Sequence, residues 1–141
     1  MKNNDLSKVI GNGAIYPITL SKNKDGSMGW YPVQGDPKLI ENNLCSLVNY
    51  EIGQRFRQED FGTRLWECID EPNSQALEFI VEEFLKMAIS QWEDRITFKN
   101  SEIAREGSKL YIRFTYVINY NNTSKSATIV YDNLNNNLTN I

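Results

Sequence analysis

The chain contains no histidine. That removes the commonest metal ligand and the commonest general base near neutral pH, so His-based triads and His-ligated zinc sites are excluded. Cysteine is nearly as scarce. Cys45 and Cys68 stand alone, far apart and without a CxxC spacing, and both lie among apolar residues. They read as buried, reduced thiols in a protein made in a cytoplasm. Long apolar runs are missing as well. No stretch reaches 18 apolar residues, and Met1–Asp5 leads into no apolar segment, so neither a transmembrane helix nor a signal peptide is expected. There is no basic surplus: 15 Lys and Arg face 18 Asp and Glu, for a net charge of -3. This opposes nucleic-acid binding. Gly11-Asn12-Gly13 lacks the third glycine and the Lys-Ser/Thr continuation of a phosphate loop and reads as linker. No cofactor and no metal are expected.

What remains is an ordinary composition. The 141 residues are 40% apolar and 23% charged, enough for one domain that buries about 68% of its unfolded surface without staples. Residues 1–14 are polar and read as an arm. Residues 15–131 carry the domain. Residues 132–141 hold five asparagines and read as a tail with little fixed structure of its own. Ile15–Leu20 and Ser27–Val33 form a hairpin around Asp25-Gly26. Asp36-Pro37 starts a helix that runs to about Tyr50, with Ile40, Leu44, Leu47 and Val48 inward. Thr63–Ile69 is a short helical piece. A second helix, Gln75–Gln91, turns Leu77, Ile80, Val81, Phe84, Leu85, Ala88 and Trp92 inward and pairs Glu82 with Lys86 outside. Beyond Arg95 the period becomes two. Ile96–Phe98 and Glu102–Arg105 are short strands. Leu110–Tyr120 is the longest and central strand, and Ser126–Tyr131 is a candidate edge. The order gives an α+β fold: two main helices packed on a mostly antiparallel sheet in a single domain.

Candidate chemistry is thin. Glu67, Asp70, Glu71, Glu93 and Asp94 are carboxylates that could serve glycoside hydrolysis, but nothing fixes a pair at a working separation. No catalytic residue is assigned. Two stretches could bind a partner. Arg55 and Arg57 lie in a charged loop between helices, which reads either as solvated surface or as a rigid loop offering cations to a partner's acids. Trp92-Glu93-Asp94-Arg95-Ile96 sits where the long helix gives way to strands. Its charges either satisfy the helix end and each other or reach another subunit. The pattern alone leaves both open.

The run from Tyr50 to Trp66, with Gly53-Gln54-Arg55 and Asp60-Phe61-Gly62, is followed by Glu71-Pro72, the long helix and Trp92-Glu93-Asp94-Arg95-Ile96. In this order and spacing it resembles the small lysozyme-like baseplate wedge and sheath-initiator family of contractile phage tails. Contractile bacteriocins and type VI secretion baseplates have members too. The resemblance covers roughly residues 15–120. Gln54 stands where the family has Glu, and Asp94 where it has the Pro of Trp-Glu-Pro-Arg-Ile. The resemblance implies a non-enzymatic structural subunit, assembled in the host cytoplasm and residing in the virion tail baseplate. Trp92, Glu93, Asp94 and Arg95, with Arg55 and Arg57 second, would then be partner-binding. Glu93 and Arg95 would face outward to dock on a helical bundle of large wedge subunits. The sheet side would offer strands to the first ring of sheath subunits, joined to them by strand addition, with the tube or hub as a further contact, and no nucleic acid or membrane would be engaged. The alternatives are a type VI baseplate subunit of the same family and, in another class, a muralytic hydrolase.

Overall fold

A computed structural model describes residues 8–15, 18, 20–30, 33–132 and 138–140. Contacts divide the chain into two units, Met1–Asn43 and Leu44–Ile141. One helix, α1 (Lys38–Asn49), crosses the division. Asp36 starts it as expected, its carboxylate accepting the N–H of Lys38 at 2.9 Å, with Pro37 where no donor is needed.

In the first unit residues 8–10 are helical and Ile10 is buried. Strand β1 (Asn12–Gly13) pairs antiparallel with β4 (Val33–Gln34). Strand β2 (Leu20–Lys22) pairs with β3 (Met28–Trp30). The Asp25-Gly26 turn closes this hairpin. Asn23 donates its N–H to the Ser27 carbonyl, and Asp25 accepts both the N–H and the hydroxyl of Ser27. Those bonds favour the carboxylate and lower its pKa. The first strand is shorter than the sequence suggested. Ile15 and Ile18 lie outside any strand, and a ladder through this stretch would lack one donor at Pro17. Residues 1–7 of the expected arm, and 16, 17, 19, 31 and 32 of the hairpin strands, lie outside the described residues.

The second unit carries most of the core. Leu65–Cys68 forms a 3-10 turn with Leu65 and Cys68 buried. Ser74 caps α2 (Gln75–Trp92) by accepting the N–H of Leu77. The buried face of α2 is Leu77, Val81, Leu85, Ala88 and Ile89. Ile80, expected inside, is 40% exposed, and Ile89 takes the flank opposite. Lys86 reaches Glu83 at 4.0 Å; no Glu82–Lys86 ion pair forms among the described residues.

The sheet is a four-stranded antiparallel meander in the order β5-β6-β7-β8. The two short strands expected after Arg95 are one, β5 (Ile96–Glu106), whose register with β6 shifts between Phe98 and Asn100. The extra residue Lys99 is a bulge that interrupts the alternation without ending the strand. At 11 residues β5 is longer than β6 (Lys109–Ile118, 10 residues), which lies inside the sheet as expected. Leu110, Ile112, Phe114, Tyr116 and Ile118 of β6 are all buried. Strand β7 (Thr123–Asp132) is an edge for only part of its length. Its Ile129, Val130 and Tyr131 pair with Asn140, Thr139 and Leu138 of β8, so a segment of the Asn-rich tail forms a strand; residues 133–137 and 141 lie outside the described residues. Tyr131 is buried, stacks edge-on against Trp66 and donates its hydroxyl to the Val48 carbonyl at 3.4 Å. Burial raises its phenol pKa.

Candidate interface at the end of the long helix

Two elements meet at the C-terminus of α2. One is the junction Trp92–Arg95, where α2 hands over to β5. The other is the loop from Tyr50 to Arg64.

Helix α2 ends at Glu93, whose N–H still reaches the Ile89 carbonyl while its own φ of -136° leaves the helix. A carboxylate at a helix C-terminus is disfavoured by the dipole. Here it is also buried, at 4% exposure. Arg95 compensates. Its Nε and Nη2 each donate to one Glu93 oxygen at 2.5 Å, a bidentate fork of the kind that gives strong charge-assisted bonds. The bond to Glu93 raises the pKa of the guanidinium further, against the opposing effect of burial. The Arg95 side chain is itself only 20% exposed. The expectation that Glu93 faces outward is thus corrected. Its side chain is turned into the protein because the two-residue spacing lets the guanidinium fork close over it.

The backbone between them is held by a residue that the sequence reading passed over. Asn119 donates its N–H to the Arg95 carbonyl and its side-chain amide to the Asp94 carbonyl. Its carbonyl oxygen accepts from Thr97. The side chain of Asp94 is exposed. Proline at position 94 would restrict this backbone covalently; here Asn119 restrains it by hydrogen bonds. The only signal in the sequence was an asparagine at the point where the β6 alternation ends.

The loop is rigid at its base. Thr63 N–H bonds the Tyr50 carbonyl, Ile52 N–H bonds Thr63, and Gly53 N–H bonds Glu59 at 2.7 Å. Gly62 has φ +128°, and a Cβ there would lie 2.4 Å from the Tyr50 oxygen, so the turn requires glycine. The rings of Tyr50, Phe61 and Trp92 stack edge-on in series at 5.8 and 5.2 Å. The guanidinium of Arg55 lies 4.4 Å over Phe61. Arg55 is thus linked to Trp92 through Phe61. Arg57 goes elsewhere. It sits at the loop tip with φ +65°, beside Phe56, which is 85% exposed. Neither Arg55 nor Arg57 has a carboxylate within ion-pair distance among the described residues.

Between the loop and α2 lies a small, mostly apolar cavity of about 80 Å³, lined by Ile52, Gly62, Phe84, Met87 and Ala88. Arg64 covers one side, with its guanidinium over Phe84 and bonded to Glu67 at 2.8 and 2.9 Å. Two of the carboxylates considered for hydrolysis, Glu67 and Glu93, are thus engaged by arginines. No group of three or more metal-ligating side chains occurs among the described residues. Cys68 is buried and its thiol pKa is pushed up to about 11, chiefly by burial. Cys45 is only half-buried, less than expected, and accepts from Asn49. No helix of the described residues is long and apolar enough to cross a membrane.

Residues 36–123, which contain both the loop and the junction, match the family of the baseplate wedge protein gp25. The chain belongs to this family. It is a structural baseplate component of contractile-tail systems, found in the virion tail. Baseplate protein W of Escherichia phage P2 is 30% identical over 70 residues, which is half of this chain; the chain spans 61% of that relative's length. Solved structures with a similar fold include the following. One is in the postcontracted baseplate of pyocin R2 (TM-score 0.56, 16% identity, 71% of this chain and 98% of the other). Another is in the baseplate of the anti-feeding prophage (TM-score 0.59, 18% identity, 90% and 89%). The third is a Geobacter sulfurreducens protein provisionally named a tail lysozyme (TM-score 0.58, 19% identity, 66% and 86%).

Proposed function

We propose that the chain is a non-enzymatic wedge subunit that docks on the helical bundle of the large wedge subunits and gives the tail sheath its first attachment. The observation that carries the docking half is the rigidity of the junction. Arg95 is fixed by its fork with Glu93, the Asp94 backbone is held by Asn119, and Arg55 lies over Phe61, whose ring packs on Trp92. Such a surface binds with little ordering cost, and tryptophan with arginine is a frequent anchor pair. Arg95 and Asp94 offer the polar contacts; Glu93 acts by orienting Arg95. Arg55 and Arg57 supply further cations. The sheath half rests on a four-stranded antiparallel meander, the kind of sheet that strand addition extends.

Hydrolysis of peptidoglycan is the reading of another class, and the engagement of Glu67 and Glu93 by arginines supports the structural reading against it. A phage relative among the matches favours a tail over a secretion baseplate. The test is co-expression with the large wedge subunit. Glu93→Ala/Arg95→Ala, which removes both members of the pair and strands neither charge, is expected to stay folded by circular dichroism and to lose co-purification. Unchanged co-purification contradicts the docking role. Clearing in a peptidoglycan zymogram, lost on Glu71→Gln or Glu93→Gln, would contradict the non-enzymatic one.

A further inference from the structure

Helix α2 carries more apolar surface than its own fold covers. Leu77, Val81, Leu85, Ala88 and Ile89 are buried. Beside them runs a second row, Ile80, Phe84 and Met87, continued by Gln91. Ile80 is 40% and Met87 65% exposed, and Phe84 is half-buried. Steps of four, three and four residues keep this row on one side of the helix, and they are the spacing of a seam between packed helices. An apolar row of this kind, rimmed by polar residues, marks a surface that another chain covers.

The row is one wall of a groove. The 51–64 loop is the other wall, where Ile52, 46% exposed, lines the cavity opposite Phe84, Met87 and Gln91. Neither wall offers a strand edge. The N–H groups of Ile52, Gly53 and Thr63 are all taken within the loop, and a helix satisfies its own backbone. An element that lies here must bring a backbone already paired, as a helix does. The cavity is then a hole for one aliphatic side chain of that helix. Two charged residues line the groove, Asp60 and Arg64. Arg64 is bonded to Glu67, whereas Asp60 has no cation within ion-pair distance among the described residues. A cation brought by the partner complements it.

We propose that this groove seats one amphipathic helix of the large wedge subunits, with a Leu or Ile in the cavity and a Lys or Arg facing Asp60. This rests on the docking reading above and adds a second surface to it. Gln91, at the end of the row, is followed by Trp92, so the groove runs into the junction. The junction supplies rigid polar contacts and the groove supplies apolar area. The exposure of Ile80 has its reason here: a residue patterned for burial is covered in the assembly rather than in the free chain.

The experiment uses the full chain and the purified large wedge subunits of the same tail. Met87→Glu is expected to weaken the complex at least about tenfold, while Met87→Leu binds like the parent. Phe79 is the control. It is 65% exposed, as Met87 is, but lies about 140° around the helix from Phe84. Phe79→Glu is expected to leave the affinity within about twofold. Asp60→Lys is expected to weaken binding and to reduce its salt dependence. Circular dichroism checks that each variant is folded. A photo-crosslinker placed in turn at positions 80, 87 and 91 is expected to join residues along one face of a single wedge helix. Parent-like binding by Met87→Glu, or cross-links to a strand, a loop or a second copy of this chain, overturns the proposal, while loss of binding by Glu93→Ala/Arg95→Ala still supports docking at the junction. Absence of any complex with the parent chain overturns both.

Discussion

At the end of α2, a tryptophan, a glutamate and an arginine lie within four positions. At the tip of the 51–64 loop, Arg57 lies beside Phe56, while Arg55, the residue before it, turns back over Phe61. In the first place the charges are internal. Glu93 is 4% exposed and held by Arg95, and Trp92 packs on Phe61. In the second the aromatic is 85% exposed, Arg57 takes a left-handed backbone, and no carboxylate pairs with either arginine among the described residues. The difference lies in what surrounds each set. The junction is enclosed by a helix end, two strands and a loop, so an unpaired charge there would be desolvated without compensation. The tip is a turn closed by its own backbone, Gln58 N–H to the Arg55 carbonyl, and the side chains of Phe56 and Arg57 are exposed there. The same residue types thus serve the fold in one place and stay available to a partner in the other.

The largest break in that contrast is Arg95→Ala. It leaves the Glu93 carboxylate buried without its cation, and removing one member of a buried pair costs about 3 kcal/mol or more. Urea unfolding at neutral pH is the measurement, and an effect below 1 kcal/mol would mean that the pair is solvated. Asn119→Ala comes next. It removes the amide bonds to Asp94 and Thr97, and a loss of about 1–2 kcal/mol is expected, with faster hydrogen exchange confined to residues 94–97.

Alkali tests the core beneath both regions. The Cys68 thiol ionises near 11 in the folded chain, against 9.0 for the unperturbed group. Above pH 9 the unfolded chain therefore loses a proton that the native chain keeps, and stability falls as pH rises from about 9 toward 11. The raised Tyr131 phenol extends the fall to higher pH. Cys68→Ala is expected to flatten the first part of the decline, read as the urea midpoint against pH. Smallest of all is Phe56→Ala at the tip, expected to change stability by less than about 0.5 kcal/mol in the same unfolding assay.

Much of this fold is legible in the residues. Asp36-Pro37 and Ser74 mark helix starts because their capping chemistry is local. The alternation through β6 is legible because one face is wholly buried. Strand β8 was not, since nothing in Leu138-Thr139-Asn140 distinguishes a strand from a tail until β7 offers it an edge. The exchange of Ile80 for Ile89 has a similar origin. Both flank the wide apolar stripe of α2, and the packing of the rest of the unit decides which flank is covered. Glu93 is the sharpest case. A glutamate at a helix end is ordinarily solvated, and only the guanidinium two residues later, on a backbone whose carbonyl accepts from an asparagine 24 positions further on, makes its burial affordable.

A double-mutant cycle on Glu93 and Arg95 addresses that central point directly. Urea unfolding of the parent chain, Glu93→Ala, Arg95→Ala and the double variant gives the coupling between the two side chains. A coupling of about 2–3 kcal/mol is expected, with the double variant more stable than Arg95→Ala alone. Additive losses, with coupling below about 0.5 kcal/mol, would contradict the account and return both charges to the surface.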